Sequence, residues 1–240
     1  MSPTDGQPQL NPSVRHRSTR NRPAKAPLST EAVVDAALAI LTSEGLEAVT
    51  MRRVATALDT GAASLYVYVS GREGLLQAML DSVTATIKLE VPDPSHWRDQ
   101  LHSLLQQMHH ALVAHPGTAA LTLADPPTSE VILTVTENML GILFAGGFDP
   151  QDATWTCDIL VLLVTAIASE DDVRRSRGRS DDEQREYVAG IYNTFVGLPS
   201  DRFPISSAHA AQMVAGDGDE RFRFAVDVVL DGVIARAVRR

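Results

Sequence analysis

Apolar positions recur along this chain at spacings of three and four, and strict alternation is almost absent, which is the pattern of helices. The first ordered window is LSTEAVVDAALAILTSEGLEAVT. Ser29 or Thr30 can cap a helix there, with Glu31 close to its positive end. Val33, Ala37 and Ile40 or Leu41 form its buried stripe, and Gly45 ends it. Thr50 caps a second, short helix, MRRVATAL, with Val54, Ala55 and Leu58 facing inward and Arg52 and Arg53 in the first turn. Asp59-Thr60-Gly61 predicts a tight turn, and a third short helix runs from about Gly61 to Val69 until Ser70-Gly71 breaks it. A fourth helix is expected from about Arg72 to Leu89, stopped by Pro92 and Pro94.

Five or six further helices follow from Ser95. Trp97, Leu101, Leu104 or Leu105, Met108 and Leu112 make an amphipathic stripe that ends at His115-Pro116. Helices are expected over 128–146 and 149–169, then a mobile mixed-charge connector from Glu170 to Glu186. Another helix runs from about Asp181 to Thr194, Gly197 to Gly218 reads as loop, and a last helix lies near 219–239. Two of these helices are apolar on more than one face. In the last, Phe222, Val226, Val229, Val233 and Ala237 form one stripe and Ala225, Val228, Gly232 and Ala235 another. In the helix from 149, Trp155, Ile159, Leu163 and Ile167 are flanked by Leu162 and Val164. A helix apolar all round must be covered on all sides. The expected fold is therefore all-α with about nine to ten helices: a compact three-helix unit, then a larger helical bundle.

Three compact helices with a tight turn between the second and third describe a helix-turn-helix. The third helix of such a unit enters the major groove of DNA and must present a low outer profile. Gly61, Ala62, Ala63 and Ser64 supply that profile, while Leu65 and Val69 point back to the core. Tyr66 and Tyr68 are left at the exit, where hydroxyls can reach phosphates, and Arg72 adds a cation. Val67 either touches a thymine methyl or covers surface.

Net charge is −9, which alone argues against nucleic acid, but its distribution is uneven. Arg15, Arg17, Arg20, Arg22 and Lys25 face only Asp5 in the first thirty residues, and the chain beyond the helix-turn-helix is strongly acidic. A cationic arm on an anionic body permits DNA contact at one end. Residues 1–28 form a basic arm expected to be disordered when free, 29–76 the helix-turn-helix domain, and 77–240 the regulatory body. A single cysteine, Cys157, excludes an internal disulfide, and its ordinary role is that of a small buried hydrophobe. The apolar run Ile159 to Ala168 is too short to span a bilayer, so no membrane partner is expected and the location is cytoplasmic. His109 with Asp158 or Glu137 raises a metal idea, but no HExxH, CxxC or His-x₃-His pattern supports it. No phosphate-binding glycine loop or nucleophile elbow is present, and no enzyme activity, metal or cofactor is expected.

From Leu28 to about Ile87 the chain resembles the DNA-binding domain of the TetR repressors. The residues that carry the likeness are AL-x₆-GLEAVTMRRVA from Ala37 to Ala55, the LYxxV pattern at Leu65, Tyr66 and Val69, and Arg72, Leu75 and Leu76. Asp59 stands where that family usually has Gly, Tyr68 replaces a frequent His, and Ala62 and Ala63 are smaller than usual base-reading residues. The resemblance implies phosphate contacts from Thr50, Ser64, Tyr66, Tyr68 and Arg72, and a base contact from Arg52, with Arg53 beside it. It further implies a homodimer through the helices near 149–169 and 219–239, bound to a palindromic double-stranded operator. A sensor pocket for an unknown, largely apolar small-molecule effector is implied as well. Its candidate liners are Met79, Met108, Leu112, Met139, Leu143 and Phe144, with polar contacts from His109 and Thr165. The implied function is a transcriptional repressor released from DNA by that effector. The alternatives are an effector-independent DNA-binding protein or an adaptor that kept the fold.

Overall fold

The computed structural model describes residues 27–122 and 129–237 as twelve α-helices and one 3-10 turn, with no strand among the described residues. The cations of the basic arm lie outside the described residues. Helix α1 (Thr30–Glu44) starts at Ser29, whose hydroxyl accepts from the Ala32 N–H at 3.2 Å. It buries Val33, Ala37, Ile40 and Leu41, and also Val34 and Leu38, so the stripe is wider than its periodicity alone implied. A 3-10 turn, Leu46–Ala48, leads to α2 (Met51–Ala57), capped by Thr50. Asp59, at φ 50°, takes the left-handed conformation in the turn before α3 (Ala62–Leu65), as a short polar side chain can. Leu65 and Val69 close this small core.

Helix α4 (Gly71–Thr84) is shorter than its apolar pattern predicted and runs straight through position 76. Its Leu75, Met79 and Val83 are buried with α1, α2 and α3 in one hydrophobic cluster. A second cluster fills the body, formed by α5 (Trp97–Ala114), α7 (Glu130–Ala145), α8 (Pro150–Ser176) and α12 (Gly218–Ala237). A short helix α6 (Ala119–Thr122) packs on α8. Trp97 lies edge-on to Phe148, ring centroids 5.4 Å apart, and against Gly146. A Cβ on Gly146 would fall 2.6 Å from the indole, so the bare backbone is what lets the ring in.

Several segments differ from expectation. The connector expected over Glu170 to Glu186 is helical for most of its length. Arg174 pairs with Glu170 at 2.6 Å and Arg175 with Asp172 at 3.1 Å, so spacings of three and four carry α8 on to Ser176. Only four residues, 177–180, separate it from α9 (Asp181–Val196), which opens on a Ser180–Glu183 capping box. The loop expected between Gly197 and Gly218 contains α10 (Pro204–Ala208) and α11 (Ala210–Val214), both packed on α9. With α6 these account for the excess over the expected nine to ten helices. By length and composition α8 would reach across a bilayer, and 44% of its apolar window is buried inside the protein.

Candidate DNA interface and effector cavity

The surface expected to face the groove is assembled by α2, the Asp59 turn and α3. Thr50, Arg52, Gly61, Ala63 and Ser64 are all exposed there. Tyr66 is 60% exposed and Val67 81%, large apolar area that folding leaves uncovered. The Arg52 side chain carries no ion pair among the described residues. A Cβ on Gly61 would meet nothing within 4 Å, so nothing inside the protein demands the small residue.

Other expected DNA contacts are occupied inside the protein. Arg53 grips the Glu44 carboxylate through Nε at 3.1 Å to both oxygens, tying α2 to α1. That hydrogen bond holds the Glu44 carboxyl below its ordinary range. The Thr50 hydroxyl accepts from the Arg53 N–H at 3.2 Å as the cap of α2. Arg72 donates Nε to the Val49 carbonyl at 2.9 Å and Nη2 to that of Leu46 at 3.2 Å. It therefore staples α4 to the segment entering α2. Tyr68 is half-buried and, like Ala62, packs on the small core. The outward-facing set is thus narrower than the sequence motif implied.

The body holds a cavity of about 670 Å³ between α4, α5, α6, α7 and α8. Four of the eight expected liners reach it: Met108, Leu112, Met139 and Thr165. The others do not. Met79 is fully buried in the small core, and Leu143 in the body core. Phe144 turns outward to the surface. His109 meets Asp171 at 2.9 Å and stacks on Phe222 with centroids 5.4 Å apart, bracing α5 against α8 and α12. That contact also replaces the metal pairing with Asp158 or Glu137.

Five helices supply liners that sequence reasoning missed, Ala111 of α5 and Leu121 and Thr122 of α6 among them. Leu76, Leu80 and Val83 come from α4, Ile132 and Thr136 from α7, and Asp158 and Val161 from α8. Their signal is the same three-and-four spacing that marks core, and sequence alone cannot tell a wall from a filled interior. Thr165, 2% exposed, accepts from or donates to Thr122 across 3.1 Å, giving the cavity wall a hydroxyl pair. Cys157 also lines it. Burial, and then the charge of Asp158, push its thiol up to about 11, so it stays protonated at neutral pH.

Sequence comparison places residues 91–237 with the tetracyclin repressor-like C-terminal domain and 33–79 with the tetR family of bacterial regulatory proteins. An HTH-type transcriptional regulator of Saccharopolyspora erythraea is 30% identical over 140 residues, 58% of this chain and 59% of that one. The HTH-type transcriptional repressor DrrR1 of Streptomyces coeruleorubidus is 29% identical over 232 residues, covering 92% and 84% of the two chains. Among solved structures, ActR of Streptomyces coelicolor in complex with actinorhodin superposes with a TM-score of 0.78 at 29% identity, over 88% of this chain and 97% of that one. The helix-turn-helix head, the all-helical body and these matches together show that the chain belongs to the TetR family of bacterial transcriptional regulators.

Proposed function

We propose that this protein is a cytoplasmic, homodimeric repressor that holds a palindromic DNA operator and lets go when a small apolar effector enters the cavity. The observation that carries this reading is the double membership of α4. Its Leu75, Met79 and Val83 belong to the core of the DNA-binding head, and its Leu76, Leu80 and Val83 border the cavity. Arg72, at its start, holds the chain entering α2. A ligand that displaces α4 therefore displaces the head, provided it prefers the displaced arrangement. The related repressor DrrR1 and the ligand complex of ActR support the same assignment.

Two helices provide the dimer surface. On α8, Trp155, Ile159 and Leu162 are exposed one turn apart, and on α12, Phe224 and Val228 are. Phe224 is 70% exposed, and monomers rarely leave such contiguous apolar area in water. Pairing α8 and α12 with their symmetry mates covers it and sets two recognition helices on half-sites about 34–36 Å apart, or a multiple of that.

The test is titration of the protein against the DNA upstream of its own gene, with unrelated DNA as competitor at physiological salt. Competitor-resistant binding is expected, and Arg52→Ala should narrow the preference over competitor by roughly 1–3 kcal/mol. Binding equal on both fragments, in every upstream segment tried, would remove the operator reading.

A further inference from the structure

The effector cavity has a sign. Its wall is apolar, with neutral polar groups from Gln77 and several threonines, and among the described residues no Lys, Arg or His lines it. No aromatic ring among the described residues lines it either. Two carboxylates do: Glu73 on the first turn of α4 and Asp158 on α8. Both residues are exposed in the single chain. Neither carries an ion pair among the described residues. The other nearby carboxylate, Asp81, is already engaged by Gln77 at 2.8 Å and Ser129 at 2.6 Å.

We propose, resting on the cavity's role as effector site, that its ligand is a lipophilic amine whose ammonium group meets Asp158 or Glu73 while its apolar body fills the space between α4, α7 and α8. An anionic ligand of the same body would lose its hydration on entry and find no cation in return, with two like charges at the wall. A cation loses comparable hydration but gains a carboxylate partner. The protonated thiol of Cys157 reports the same field, since Asp158 adds to burial in raising it. Glu73 gives the charge a mechanical outlet. It follows Arg72, the residue that holds the segment entering α2, so an ammonium drawn to Glu73 acts on the first turn of α4, beside the DNA-binding head.

The test uses three ten-carbon probes below their micellar range at pH 7: decylammonium, decanol and decanoate. They share one flexible chain and differ in head-group charge, so shape cannot account for a ranking. Affinity is read by calorimetry. Decylammonium is expected to bind at least about tenfold more tightly than decanoate, with decanol between them. In an Asp158→Asn, Glu73→Gln double variant the gap should close while decanol binding is unchanged. Decanoate binding as tightly as decylammonium, or a gap that survives the double variant, overturns the charge assignment and leaves the cavity as an effector site. Failure of all three to bind the folded, operator-binding protein overturns both the charge assignment and the cavity's role.

Discussion

Gly61 and Arg72 illustrate how two residues of one DNA-binding motif can serve different masters. Gly61 borders open space, so nothing inside the described chain requires its smallness. A Gly61→Ser variant is expected to fold and melt like the parent, because serine caps a helix at least as well, yet to lose operator affinity through a side chain thrust at the DNA. Melting curves beside a DNA titration check this; unchanged affinity would free Gly61 of any groove role. Arg72 answers to the inside. Its guanidinium serves two carbonyls of the segment entering α2, so Arg72→Ala should cost about 1 kcal/mol of stability as well as DNA affinity. An Arg72→Ala protein with the parent's melting temperature would return the residue to a purely phosphate-binding role.

At the scale of elements, Gln100, Gln107 and Asn138 bond the backbone of the segment between α4 and α5, and the Asp93 carboxylate folds its end into α5. Asp93 accepts from the Ser95 N–H at 2.8 Å and its hydroxyl at 2.6 Å, and lies 3.0 Å from His96 Nδ1. The Ser95 hydroxyl first, then His96 and the Ser95 N–H, hold its carboxyl down to about 2. A depressed carboxylate stabilises the fold above its unfolded pKa, about 3.9, and the contribution is lost as pH falls toward the folded value. The parent should therefore lose melting temperature between about pH 4 and pH 2 more steeply than Asp93→Asn. Parallel slopes would show that Asp93 does not couple to folding. The next element is clamped differently: Arg98 and His102 of α5 both reach Asp227 of α12, and Arg98 also reaches Asp231 at 2.7 Å. Burial raises the Asp227 carboxyl, but His102 and Arg98 together reverse this and leave it lowered.

For the whole molecule the decisive surface is the one folding leaves uncovered. Val228→Asp places a charge in the proposed symmetric seam without touching the body core, where Val226 and Leu230 are fully buried. Sedimentation should then show a monomer with native helix content, and affinity for a palindrome should fall steeply because two half-sites no longer act together. A Val228→Asp protein that remains dimeric would place the dimer seam elsewhere.

Periodicity and caps, read along the chain, were enough to place the all-helical class, the helix-turn-helix and most helix starts. Ser29, Thr50, Asp149 and Ser180 cap where their chemistry allows because capping is decided within one turn. The extent of α8 was missed because a charged run reads as connector until its pairs are seen at helical spacing. The roles of Arg53, Arg72 and His109 were missed for a different reason. Their partners, Glu44, Val49 and Asp171, lie 9, 23 and 62 residues away, and only packing brings them together. The cavity is the extreme case. Met79 and Met108 obey the same spacing rule, yet one fills a core and the other lines the cavity. Spacing selects which side of a helix turns inward, and only the tertiary fold decides whether another helix is waiting there.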